Sequence, residues 1–83
     1  MYAVLISDKA KKQLTKLPKS IREIILNKIY SIRHNPFRYV KKLEGSKLWR
    51  LRIMDYRAII DILISGKKII ILTVDKRERV YRD

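Results

Sequence analysis

Five side chains in the second half of this chain have the chemistry needed to bind and cleave a phosphodiester. Arg50 and Arg52 alternate with apolar residues, Arg57 follows a short turn, and Arg77 and Tyr81 lie near the C-terminus. Guanidinium groups make paired hydrogen bonds to phosphate oxygens, and a tyrosine can stack on a base or donate to a phosphate. Such a cluster suits attack by the 2′-hydroxyl of RNA on the neighbouring phosphate, because cations stabilise the charge that builds up there. Non-catalytic binding of nucleic acid or of an acidic protein, and a solvated basic face, are the alternatives.

A predicted β-hairpin positions the first three arginines. Residues Leu48–Asp61 have the pattern of two strands joined by a tight turn. Because successive strand side chains point to opposite faces, Arg50 and Arg52 should lie about 7 Å apart on one face. The hairpin is expected to bring Arg57 onto the same surface, where three cations repel one another and require an anion. A structural alternative is that Arg57 pairs with Asp61 on its own strand and serves stability only.

Hydrophobic periodicity predicts a strand and two helices before this hairpin. Tyr2–Ile6 is a short apolar run rich in strand formers, and we expect it to be a buried strand. Ser7 or Asp8 then offers the N-cap of a first amphipathic helix. A second helix is expected to begin at a capping box, Ser20–Glu23, and to end near His34, just before a proline.

The strongest strand signal follows the hairpin. Lys68–Val74 is the most β-prone run in the chain and is predicted to be a central strand. The resulting order is β-α-α-β-β-β, an α+β fold in which two helices pack on one face of a small, largely antiparallel sheet. The other face stays partly open. We expect one domain, residues 1–83.

Composition limits the possible partners. Lys and Arg number 21 against 8 Asp and Glu, a formal net charge of +13, which favours a polyanionic partner. The chain has no cysteine and one histidine, so disulfides and thiolate zinc sites are excluded and no metal or cofactor is expected. No apolar run approaches the roughly 20 residues that span a bilayer. We therefore expect a cytoplasmic protein with no membrane partner.

Three segments together resemble the RelE/ParE toxin superfamily. They are Lys42–Gly45, Leu48–Arg57 and Val74–Tyr81, which match a K-L-x-G turn, a Y/W-R-x-R-x-G-D-Y-R hairpin and a terminal V-x-x-R…V-Y pattern. The resemblance extends over nearly the whole chain, because the Leu14-x-x-Leu17-Pro18 pattern and the two-helix order also match. It implies a microbial-RNase-like α+β fold and a toxin of a type II toxin–antitoxin pair.

The RelE branch of this superfamily cleaves mRNA in the ribosomal A site without a metal, by attack of the 2′-hydroxyl. The resemblance implies that Arg50 and Arg52 occupy the two basic positions of the first hairpin strand. Arg57 takes the position that holds the scissile phosphate. Arg77 takes the position that protonates the 5′-oxygen leaving group, and Tyr81 that of the stacking or orienting tyrosine.

The implied partners are an acidic, RelB-like antitoxin, the ribosome and mRNA. The ParE branch, which poisons DNA gyrase by binding it, generally lacks the full set of these basic residues and the tyrosine. The presence of all of them here therefore favours a RelE-like mRNA interferase. A ParE-like gyrase inhibitor and a non-catalytic basic nucleic-acid-binding module remain the alternatives. The residues predicted to contact RNA or the ribosome are Lys42, Lys47, Lys76 and Arg79.

This sequence departs from the family pattern at three positions. Met54 replaces the usual turn glycine, so the hairpin turn is expected to avoid a conformation that only glycine tolerates. Asp75 stands where glycine is common. Arg52 stands where a lysine often acts as the proposed general base, and a guanidinium, which stays protonated, is a poor base. Either Arg52 only stabilises charge and another group takes the proton, or activity is slow.

Overall fold

The computed structural model describes residues 1–76 and has the predicted α+β architecture. The segment Phe37–Lys47 lacks a clear periodicity and is expected to be irregular, but it contains a two-residue strand, β2 (Lys41–Lys42), and most of a 3₁₀ turn (Pro36–Arg38). The elements are β1 (Ala3–Ile6), α1 (Asp8–Thr15), α2 (Lys19–Ser31), the 3₁₀ turn (Pro36–Arg38), β2 (Lys41–Lys42), β3 (Trp49–Ile53), β4 (Tyr56–Leu63) and β5 (Lys68–Lys76).

The five strands form one sheet in the order β1-β5-β4-β3-β2. The β1–β5 pairing is parallel and the other pairings are antiparallel. The long connection that a parallel pair requires runs here through both helices and the other three strands. β1 is therefore an edge strand, and Leu5 is 47% exposed. The expectation of a buried strand at Tyr2–Ile6 is wrong, since only one face of β1 packs toward the core.

The two helices begin in different ways. Ser7 caps α1, as predicted, because its Oγ accepts a hydrogen bond from the Ala10 N–H at 3.1 Å. The capping box predicted at Ser20–Glu23 is wrong. α2 begins at Lys19 after Pro18, without a side-chain cap, so Ser20 lies inside the first turn. Glu23 instead lies 4.0 Å from the Lys19 ammonium.

The core lies between the helices and one face of the sheet. Every second residue of a strand points into this core, which leaves the alternate residues on the open face. The fully buried large side chains are Ile25, Ile29, Ile32, Leu51, Ile60, Ile69, Ile71, Val74 and Pro36. The open face therefore receives the residues that alternate with Leu51 and Ile60, which include the three hairpin arginines.

The β3–β4 turn differs from the expectation. Met54 has φ +53°, in the left-handed region, although the sequence predicted a turn that avoids this conformation. Only two residues link Ile53 to Tyr56, and the favoured two-residue hairpin turns need positive φ at the first central position. An L-residue in the left-handed region costs about 1–2 kcal/mol.

A β-bulge lies where β5 passes beyond the end of β1. The register shifts between Ile59, opposite Thr73, and Ile60, opposite Ile71, so Leu72 is the extra residue. Beyond the end of β1, the backbone of β5 bonds to a side chain of α1. Gln13 Oε1 accepts hydrogen bonds from the Val74 N–H at 2.7 Å and from the Thr73 hydroxyl at 3.0 Å. These bonds fix the strand that flanks Arg57 of β4.

Candidate functional site

Strand register brings basic residues from three strands onto the open face. Arg52 of β3 lies directly opposite Arg57 of β4, and Arg50 lies opposite Ile59. On the other side of β3, Lys41 of β2 lies opposite Arg50. Directly opposite residues of an antiparallel pair share a face and have Cβ atoms about 4.5–5.5 Å apart.

These side chains line one small cavity. Its volume is about 120 Å³, and its lining residues are Tyr39, Lys41, Arg50, Arg52 and Arg57. Four of the five lining side chains are cationic and none is acidic, so the cavity is electrostatically suited to an anion. The volume is well below the roughly 300–1,000 Å³ of small-molecule sites. It fits a single charged group such as a phosphate.

The arginines differ in depth. Arg57 is 5% exposed, Arg50 is half-buried and Arg52 is exposed. Water screens electrostatic attraction less at a buried position, so among the three arginines Arg57, on the central strand, would hold an anion in the cavity most strongly. Asp75 of β5 is the acidic residue in register with Arg57. The other sequence candidate, Asp61, lies 4.0 Å from the ammonium of Lys47.

Sequence reasoning missed two lining residues, Tyr39 and Lys41. Both belong to the segment that was expected to be irregular, so no face was assigned to either. The 3₁₀ turn fixes this segment, because Pro36 is fully buried and its carbonyl accepts the Tyr39 N–H at 3.1 Å. No local signal placed them, because Tyr39 ends the 3₁₀ turn in a helical conformation and Lys41 reaches the site through the pairing of β2 with β3.

The three described lysines that were predicted to bind RNA or the ribosome, Lys42, Lys47 and Lys76, do not line the cavity. Lys42 is in register with Trp49, and its ammonium lies 4.8 Å from the indole ring centroid. The side chain of Lys47 is 82% exposed, and Lys76 is exposed at the end of β5. The remaining predicted site residues, Arg77, Arg79 and Tyr81, lie outside the described residues.

The described residues contain neither a metal site nor a helix that could span a membrane. Within residues 1–76, no group of three or more His, Cys, Asp or Glu side chains is placed to hold a metal ion. In the same range, neither α1 nor α2 has the length and apolar character needed to cross a bilayer. The four cations that line the cavity have the chemistry to bind a phosphate and to stabilise additional negative charge on it.

Comparison with known proteins identifies the family. Residues 4–81 match the family model described as the ParE toxin of the type II toxin–antitoxin system, parDE. The RelE–RelB complex from Pyrococcus horikoshii OT3 is similar at 33% identity and TM-score 0.80, over 94% of this chain and 97% of that one. Comparison with curated proteins found no match.

Two bacterial structures have the same fold. The RelBE2 toxin–antitoxin complex from Mycobacterium tuberculosis is 26% identical with TM-score 0.82, covering 92% of this chain and 98% of that one. The intact Escherichia coli RelBE complex is 21% identical with TM-score 0.79, covering 95% and 100%. With the family match over residues 4–81, these likenesses show that the chain belongs to the RelE/ParE superfamily and is a toxin of a type II toxin–antitoxin system with a RelE-like fold.

Proposed function

We propose that this toxin is a ribosome-dependent mRNA endoribonuclease, an mRNA interferase that cleaves without a metal. The observation that carries the proposal is the cavity of about 120 Å³ on the open face, with Arg57 nearly buried and three further cations around it. A cavity with four cations and no acidic residue among its lining side chains suits a reaction in which negative charge accumulates on a phosphate.

In the proposed reaction the RNA 2′-hydroxyl attacks the adjacent phosphorus, and the bond from phosphorus to the 5′-oxygen breaks. Arg57 holds the scissile phosphate, and Arg50 and Arg52 stabilise the charge on the phosphorane. Arg52 stays protonated, so the proton of the 2′-hydroxyl passes to another group. Arg77 protonates the leaving 5′-oxygen and Tyr81 orients or stacks on the substrate, as the resemblance to RelE implies.

Dependence on the ribosome is consistent with the small size of the cavity. A volume of about 120 Å³ accommodates a phosphate but not a whole nucleotide, so the toxin alone has few contacts with which to align an mRNA. Proper alignment of reacting groups supplies a large part of catalysis, and here the ribosome would provide it. The net charge of +13 favours docking on rRNA, with Lys42, Lys47, Lys76 and Arg79 as proposed contacts. The cytoplasm is therefore the proposed location.

The proposed partner in the resting state is an acidic, RelB-like antitoxin. The structures from P. horikoshii and M. tuberculosis are complexes of a RelE-type toxin with its antitoxin. An acidic partner would neutralise part of the +13 charge. Salt should therefore weaken the electrostatic part of the binding free energy between toxin and antitoxin. Co-expression with the product of the adjacent gene tests this. Failure of that product to bind the toxin or to relieve growth arrest would contradict the pairing.

A ParE-like gyrase inhibitor is the second candidate, because the matching family model is the one described for ParE. One experiment separates the two. The toxin is expressed, mRNA 5′ ends are mapped on ribosomes, and DNA gyrase supercoiling is assayed in parallel. We expect new 5′ ends within translated codons and normal supercoiling. Intact mRNA with blocked supercoiling would support the ParE-like function instead.

A further inference from the structure

Tyr39 is the aromatic residue among the five that line the cavity, and nothing in the proposed reaction uses it. Tyr39 lines the cavity together with Lys41, Arg50, Arg52 and Arg57, and it is 45% exposed. An exposed aromatic ring beside a cluster of phosphate-binding cations is the combination that proteins use to bind single-stranded nucleic acid.

The surroundings of Tyr39 hold the ring in place. Its N–H donates to the carbonyl of the buried Pro36 at 3.1 Å, which fixes the backbone. The ammonium of Lys28, on α2, lies 5.0 Å from the ring centroid, within the range of a cation–π interaction. Phe37, in the 3₁₀ turn before Tyr39, packs edge-on against Trp49 with ring centroids 5.1 Å apart, and this contact anchors the turn. A ring held in this way loses little entropy when a ligand stacks on it.

The size of the cavity determines what the ring can contact. A volume of about 120 Å³ admits the phosphate, so the attached sugar and base must lie outside it, at the rim. Tyr39 lines the cavity and is exposed to solvent, so it is the aromatic residue within reach of a base at that rim.

We propose that Tyr39 is a stacking platform for the nucleobase attached to the phosphate that occupies this cavity. The ligand class is a single-stranded RNA nucleotide. Because every base has a π-face, such a platform tolerates different bases and adds affinity rather than strict sequence preference. The inference rests on the proposed function, since it assumes that the cavity binds an RNA phosphate.

The chain contains a matched control, Tyr30. This tyrosine is 40% exposed and also has a nearby cation, with the guanidinium carbon of Arg33 at 5.3 Å from its ring centroid. Tyr30 lies on α2 and does not line the cavity. Variants of Tyr30 therefore measure the loss of an exposed tyrosine and its cation contact without a change in the site.

The test compares two probes on the antitoxin-free toxin by NMR titration, adenosine 3′-monophosphate and inorganic phosphate. We expect Tyr39→Leu, which keeps bulk but has no π-face, to weaken nucleotide binding by about 5- to 150-fold, the range for loss of one stacked base. Its affinity for inorganic phosphate should not change. Tyr39→Phe and Tyr30→Leu should bind both probes as the wild type does, and thermal melts confirm that each variant is folded.

Four results would overturn the inference. Wild-type nucleotide affinity in Tyr39→Leu would do so. Equal losses of affinity for the nucleotide and for inorganic phosphate would also do so, because they would mean that Tyr39 only maintains the shape of the cavity. A loss in Tyr39→Phe as large as in Tyr39→Leu would assign the contact to the phenolic hydroxyl. These three leave the proposed function standing. In contrast, phosphate binding that Arg57→Met does not weaken would remove the proposed phosphate site and the stacking platform together.

Discussion

Replacing Arg57 with methionine tests the proposed function most directly. Arg57 is 5% exposed, and it lines the cavity together with three other cations. Methionine keeps an unbranched buried stem and removes only the guanidinium. Losing one preorganised donor to a developing oxyanion costs about 2.7–4 kcal/mol, or about 10²- to 10³-fold in rate. We expect Arg57→Met to slow single-turnover cleavage on programmed ribosomes by that factor.

Stability should separate Arg57→Met from Arg57→Ala. Alanine also removes two buried methylenes, worth about 1.6 kcal/mol at about 0.8 kcal/mol each. At about 4–8 °C per kcal/mol for a domain of this size, the Tm of Arg57→Ala should lie about 6–13 °C below that of Arg57→Met. Both variants lose the guanidinium and its interactions, so the buried stem is the difference between them. Both variants should cleave equally slowly when folded.

The control is Arg22→Ala on α2, which removes one positive charge without touching the cavity. It should cleave at the wild-type rate. If Arg57→Met is folded and also cleaves at the wild-type rate, the catalytic assignment of Arg57 fails. A drop in Tm with unchanged cleavage by the folded fraction would assign Arg57 to stability alone.

Three further predictions follow from the neighbouring residues. Arg50→Ala and Arg52→Ala should each slow single-turnover cleavage less than Arg57→Met does, because each neighbouring cation partly substitutes for the other; an equal or larger loss in either would contradict this order. Gln13→Ala should lower the free energy of unfolding by about 1–3 kcal/mol in urea titrations, since the Thr73 hydroxyl and the Val74 N–H lose their acceptor. An unchanged urea midpoint would show that water replaces the amide oxygen. Met54→Gly should stabilise the hairpin by up to about 1 kcal/mol and leave cleavage unchanged, because glycine adopts φ +53° without strain. A lower urea midpoint would mean that the methionine side chain contributes more stability than the strain costs.

Much of the fold was predictable because its signals are local. The alternation of Arg50 and Arg52 with buried residues depends only on the two-residue period of a strand, and it placed these side chains on one face. The Ser7 cap was predictable for the same reason, since a cap involves neighbours in sequence. The capping box at Ser20–Glu23 failed although its pattern was present, because α2 begins at Lys19, directly after Pro18, so Ser20 lies inside the first turn and not at the N-cap.

The sequence by itself determined that a basic hairpin exists, which residues alternate on it and which superfamily the chain belongs to. Only the tertiary structure decided that Arg57 is nearly buried while Arg52 is exposed, and that Tyr39 and Lys41 complete the cavity. The depth of Arg57 follows from the central place of β4, and Lys41 reaches the site only through the pairing of β2 with β3. Strand order and register depend on contacts between residues far apart in the chain, and local periodicity does not contain them.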